Sequence, residues 1–174
     1  MTRRVVFDTS FLEPFLDPTT PIRPVPGLNE TGQRVRLTHF FGRCDAERAE
    51  ILIPTPALAE LLTLATREPQ PILDLIDRQA RFRIVPFDRR AATECSHLIR
   101  SGFDLAKSSR KPRGLVKFDA MILAIAVVEG ATTLCTDDDD LRTLAERQGL
   151  SVFGLADLPP PPQPELPFDV PSPG

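Results

Sequence analysis

Apolar residues along this chain fall into two alternating kinds of run. Arg4 to Phe7, Ile51 to Ile53, Phe82 to Val85, Thr132 to Cys135 and Ser151 to Phe153 are short and mostly apolar, as strands covered on both faces should be. Between them lie stretches whose apolar residues recur three and four positions apart. In the clearest, Thr55 can cap, Pro56 suits the first turn, and Leu58, Leu61, Leu62 and Ala65 share a face that excludes Glu60. A second helix is predicted from Asp88 to about Ser101, burying Ala92, Cys95, Leu98 and Ile99 and ending at Gly102. A third, from about Val116 to Val128, is apolar nearly all round and should be central, with Asp119 its only acidic residue before Glu129. This alternation predicts an α/β domain with a mainly parallel sheet.

Two regions break the pattern. Pro14 to Pro26 holds five prolines and is predicted to be an irregular excursion, which with Arg34 to Glu50 gives an insertion over about 14–50. From Pro159 onward eight of the last sixteen residues are proline, so 159–174 should form an extended, disordered tail beyond a domain of 1–158.

Composition narrows the class. With 174 residues, 41% of them hydrophobic, the chain suits one domain with one substantial core. A net charge of −3 gives no global attraction for nucleic acid, so any such surface must be local. Cys44, Cys95 and Cys135 lack the paired spacing of a zinc site or disulfide framework and read as reduced, buried thiols. The apolar run after Arg3 and Arg4 is too short for a signal peptide, and nine residues from Ala120 to Val128 cannot span a bilayer. A cytoplasmic protein without membrane contact is expected.

In an open parallel sheet, ligands bind beyond the carboxyl ends of the strands, where strand order reverses. Asp8 follows the first strand, Thr136 to Asp140 follow the fourth, Glu60 lies one turn into the helix after the second, and Asp119 lies on the helix leading to the fourth. If the first, second and fourth strands are neighbours, these segments bring their carboxylates to one end of the sheet.

Four motifs occur in order: Val5-Val6-Phe7-Asp8-Thr9-Ser10, Pro54-x-Pro56-x-x-x-Glu60, Lys117-Phe118-Asp119-Ala120-x-Ile122-x-Ala124-x-Ala126, and Thr136-x-Asp138-x-Asp140-Leu141. Together they resemble the PIN domain, especially VapC-type toxins of toxin-antitoxin pairs, over roughly residues 4–158. The resemblance implies a three-layer α/β/α fold with a five-stranded sheet in the order 3-2-1-4-5, and an acidic pocket holding Mg²⁺ or Mn²⁺. It further implies endonucleolytic cleavage of RNA, a covering antitoxin and a homodimer. Carried over by position, Asp8, Glu60, Asp119 and Asp138 match the acidic catalytic set and Asp140 a frequent fifth member. Asp8, Asp119, Asp138 and Asp140 are the expected metal ligands, and Thr9, Ser10 and Thr136 match the supporting hydroxyls.

Such chemistry needs clustered carboxylates. They repel one another, a divalent cation relieves the repulsion, and a water acidified by the ion can attack a phosphodiester without a His or Lys base. Lys107, Arg110, Lys111, Arg113 and Lys117 put five positive charges just before Asp119, where they could grip RNA phosphates. With few aromatics, no Trp and no Tyr, composition offers no evident base-stacking platform.

Plainer readings stand beside these. Asp8 could merely cap a helix, Glu60 could be a solvated helix residue, and Asp119 could complement a helix dipole. Four consecutive Asp from Asp137 could be a solvated helix start, which suffices for Asp137 and Asp139. A calcium loop there fails because Arg142 stands where glycine is required. His39 and His97 read as surface or packing residues. The basic stretch could be only a solvated loop. A phosphoacceptor domain would want paired acids after the first strand, and an Asp-nucleophile phosphatase a second Asp where Ser10 stands. The remaining alternative is a catalytically silent PIN-like module that binds RNA or protein.

Overall fold

The computed structural model describes residues 2–64, 68–101 and 113–162. Five strands, β1 (Arg4–Phe7), β2 (Glu50–Pro54), β3 (Phe82–Val85), β4 (Thr133–Cys135) and β5 (Ser151–Phe153), form one all-parallel sheet in the order β3-β2-β1-β4-β5. The expected order is therefore observed, and strand order reverses between β1 and β4. Phe7 is in register with Cys135, and the Asp8 N–H continues the ladder to the Cys135 carbonyl at 3.0 Å. The residues just past these strands, Asp8 and Thr136, are thereby set side by side.

Alternation along each strand divides the core into two layers. Val5, Phe7, Ile51, Ile53 and Cys135 belong to one; Val6, Leu52 and Leu134 belong to the other. The first layer is covered by α1 (Thr9–Leu16), α2 (Glu30–Ala46), α3 (Thr55–Leu64) and α4 (Pro69–Asp77), through Phe11, Phe41, Leu58 and Ile76. The second is covered by α5 (Arg89–Ser101), α6 (Arg113–Val128) and α7 (Asp139–Arg147), through Leu98, Ile122, Ile125 and Leu141. This is the three-layer α/β/α sandwich. Gly130 and Gly149, with φ of 64° and 77°, end α6 and α7 in the left-handed conformation that glycine adopts without a Cβ clash.

The proline-rich segment departs from expectation. Pro14 is buried inside α1, although proline within a helix removes a backbone donor at a cost of about 3 kcal/mol. The helix persists because Phe11 and Leu12 are fully buried beneath it. Within the stretch read as an insertion, α2 supplies Leu37, Phe40, Phe41 and Cys44 to the core, and Phe41 meets Phe15 face to face at 3.6 Å and Phe7 edge-on at 4.8 Å. The loop between α1 and α2 is irregular, as its prolines predict, yet ordered. Gln33 donates to the Arg23 carbonyl, Arg34 to the Thr20 carbonyl, and Ile22 is buried.

Other differences are local. Thr55 is the first residue of α3, and its hydroxyl accepts from the Phe87 N–H at 3.0 Å, tying α3 to the chain after β3. Leu158 is buried and its carbonyl accepts from the Arg36 side chain. Gly102 and residues 163–174 lie outside the described residues. The three cysteines are free and buried, and burial pushes the Cys44 thiol up to about 11, which leaves it inert. Among the described residues, no helix is long and apolar enough to cross a membrane.

At the amino ends of the strands, charges are paired. Arg4 and Arg83 both bind Glu50, at 2.9 and 2.6 Å, and Arg83 also binds Glu129. Burial works against the Glu50 charge, but the two arginines outweigh it and hold its carboxyl below the usual range.

Candidate active site

The opposite end of the sheet carries a cavity of about 580 Å³ lined by six carboxylates, those of Asp8, Glu13, Glu60, Asp119, Asp137 and Asp138. Asp8 is the deepest, at 7% exposure. It occupies the N-cap position of α1 yet makes no side-chain cap bond there, so capping does not account for it. Its Oδ2 instead accepts from the Thr136 hydroxyl at 2.8 Å and the Ser10 hydroxyl at 3.3 Å. Both hydroxyls in turn accept backbone N–H groups of the β4–α7 turn, Thr136 from Asp138 and Ser10 from Asp137, each at 3.0 Å. Two hydroxyl relays, through Thr136 and Ser10, thus fix the Asp8 carboxyl against the start of the β4–α7 turn.

Thr9 reaches the other way. Its hydroxyl donates to Glu60 Oε2 at 2.8 Å, with the Ala57 carbonyl a second acceptor at 3.1 Å. Glu60 is exposed to solvent but is drawn to the cavity by this bond. Asp119 is half-buried in the wall, and α6 begins at Arg113, so Asp119 lies beyond the first turn, where the helix dipole acts most strongly. Asp138 serves two purposes: it lines the cavity, and its Oδ1 accepts the Asp140 and Leu141 N–H groups at 2.9 and 3.0 Å as the N-cap of α7.

Two of the expected placements change. Asp140, in the first turn of α7, is not among the residues lining the cavity, and Asp137 is. Asp137 is not a solvated helix-start residue either. Its Oδ1 accepts the Leu155 N–H at 2.7 Å, locking the turn to the chain after β5, and Gly154 leaves it room, since a Cβ there would stand 2.8 Å from that oxygen. Burial, only partly offset by the Leu155 bond, raises its pKa. No local sequence signal distinguishes Asp137 from its neighbours, because its partner comes from another strand. Glu13 was also missed; it lies one helical turn after Thr9 on α1, a helix that the sequence reading did not place. Burial, Asp17 and Glu60 raise its pKa.

Electrostatically the cavity is one-sided, since no basic side chain lines it among the described residues. Burial raises the pKa of Asp8; the bonds from Thr136 and the Thr9 backbone oppose this, while the charges of Glu60 and Asp138 add to it. In the folded protein Asp8 therefore holds its proton at pH values where the unfolded chain has lost it. Its contribution to stability is greatest below the ordinary value of 3.8 and falls as pH rises from there through the raised folded pKa. Asp8→Asn, which removes the buried charge, should accordingly raise the thermal midpoint at neutral pH in chelator. Scanning calorimetry of both proteins checks this, and an unchanged or lower midpoint contradicts it.

A model of the PIN-domain family matches residues 39–147, more than half the chain, a span that includes Glu60, Asp119 and Asp138. The chain belongs to the PIN-domain family. Asp8, Thr9 and Ser10 of this PIN domain precede the matched span, and the β1–β4 pairing is what brings them to it.

Solved structures share the fold. VapBC2 from Rickettsia felis, bound to a promoter DNA fragment, matches with a TM-score of 0.59 at 16% identity over 87% of this chain and 98% of that one. DNA-bound VapBC from Salmonella typhimurium matches with 0.56 at 18% over 89% and 99%. VapC20 of Mycobacterium tuberculosis, described as a sarcin-ricin loop cleaving toxin, matches with 0.51 at 15% over 80% and 93%. No curated protein sequence matches this PIN domain.

Lys107, Arg110 and Lys111 lie outside the described residues; Arg113 opens α6, and Lys117 is exposed on it two residues before Asp119. Among the described residues, no three His, Cys, Asp or Glu side chains are gathered closely enough to hold a metal ion by themselves. The donors that face the cavity are hard carboxylate oxygens around an uncompensated buried acid. That chemistry suits a cation that keeps several of its waters and needs few protein ligands, as Mg²⁺ does.

Proposed function

We propose that this PIN domain is a divalent-metal-dependent endoribonuclease and the toxin of a type II toxin-antitoxin pair. The observation that carries this is the Asp8 carboxyl, buried at the carboxyl end of β1, fixed by two hydroxyl relays and sharing one cavity with five further carboxylates. A structural acid buried this way would normally be paired. Fold neighbours that are VapBC complexes, and a VapC described as a sarcin-ricin loop cleaving toxin, support the same reading.

In this reading Asp8, Asp119 and Asp138 hold Mg²⁺ or Mn²⁺ or its waters, and Glu60 either joins them or orients the attacking water. When bound, the ion supplies an acidified water and steadies the charge that develops on the phosphate. Thr136 and Ser10 keep Asp8 in one orientation, Thr9 keeps Glu60 over the cavity, and the Asp138 cap fixes the start of α7. Lys117 and the basic residues before it neutralise flanking phosphates, giving salt-dependent, sequence-blind affinity. The toxin reading adds a cognate antitoxin over the cavity and a homodimer.

Sequencing RNA ends after brief expression of the protein and of Asp8→Ala tests the whole reading. New internal ends at recurrent positions, present only with the unaltered chain, are expected. Identical end profiles from both would replace it with the silent RNA- or protein-binding module.

A further inference from the structure

A hydrated ion and one phosphate leave much of a 580 Å³ cavity unused, since a water's share of volume is only about 30 Å³. The remaining wall is apolar, made by Ala59, Leu64, Phe118 and Ile122. Leu64 is 51% exposed and Phe118 44% exposed. Among the described residues, Phe118 is the aromatic ring left open to solvent, while Phe7, Phe11, Phe40 and Phe41 are buried in the core. It stands directly before Asp119 on α6, so an apolar ring and an acidic group meet at one rim.

A nucleotide has the same division, with an apolar base face beside a phosphate that needs a cation to approach carboxylates. Resting on the ribonuclease reading above, we infer that Phe118, backed by Leu64, stacks an unpaired nucleobase next to the scissile phosphate. The contact requires an unpaired or looped-out base at that position, because a base held within a duplex cannot present its face to the ring. The amino groups of adenine, cytosine or guanine could donate to carboxylates across the cavity. An aromatic platform thus exists, although composition had offered no sign of one.

The test is a short single-stranded RNA carrying one 2-aminopurine, titrated onto Asp8→Asn protein so that binding is read without cleavage. Fluorescence quenching is expected at one position of the label. Adding Phe118→Ala should abolish the quenching and weaken binding roughly five- to a hundredfold, while Phe118→Tyr should restore both. In the cleaving protein, Phe118→Ala should mainly raise KM. An abasic nucleotide at the same position should reproduce that loss, with no further effect in Phe118→Ala.

Quenching unchanged by Phe118→Ala, or a flat abasic scan in a protein that still cleaves, overturns the stacking inference and leaves the nuclease reading intact. Stacking without any cleavage by the unaltered chain supports the base contact at Phe118 but overturns its place beside a scissile phosphate, together with the nuclease reading. Unaltered RNA binding, together with loss of a co-purifying small protein in Phe118→Ala, assigns the ring to a protein partner and also overturns it.

Discussion

Asp119→Asn is expected to lower cleavage of single-stranded RNA in Mn²⁺ by about 10²–10³-fold, the scale on which one lost electrostatic contact to a transition state acts. Asn keeps the shape of the side chain and removes only its charge, so α6 and the apolar residues that follow Asp119 should pack unchanged. A competing account, complementing the helix dipole, predicts a stability loss of roughly 0.3–1 kcal/mol and normal cleavage. The start of α6 at Arg113 already weakens that account. Cleavage rates and thermal midpoints measured on the same preparation separate the two. Full activity in Asp119→Asn would sink the assignment.

Phe41→Ala should cost about 3–5 kcal/mol, as loss of a buried aromatic does when its cavity cannot collapse. Phe41 sits between Phe7 of the central strand and Phe15 of α1, both in ring contact with it, so neither element can close the gap alone. A fall in the thermal midpoint of roughly 6–20 °C corresponds to that cost in a chain of this size. If 30–46 were a dispensable addition, the midpoint would move little. Denaturation followed by circular dichroism decides between these outcomes.

What the sequence made legible follows from which interactions are local. The strands announce themselves through short apolar runs, and three of the five have the predicted bounds. The sheet order came from the family resemblance and not from periodicity, because pairing between β1 and β4 joins residues far apart in the chain. Leu37, Phe40, Phe41 and Cys44 have helical spacing that was readable in principle; prolines upstream drew attention to irregularity instead. At Pro14, tertiary burial overrode a local helix breaker, and α4 was missed altogether.

The site divides in the same way. Asp8, Glu60, Asp119 and Asp138 do converge, and their motifs named them. Among four adjacent Asp residues, sequence alone could not assign duties. Asp138 both caps and faces the cavity, Asp137 lines it while anchoring Leu155, and Asp140 does not line it. Each assignment depends on where β5 and α1 end in space.

The paired charges at the amino ends of the strands, joining Arg4, Glu50, Arg83 and Glu129, stand at the pole opposite the acidic cavity. One pole pairs its charges among Arg4, Glu50, Arg83 and Glu129, and the other gathers six carboxylates around one cavity. In a random library screened for loss of cleavage, changes at the paired pole should lower the yield of soluble protein and be rescued by growth at lower temperature. Changes at the acidic pole should give abundant protein that no temperature rescues, so the rescue pattern alone would map the strand axis.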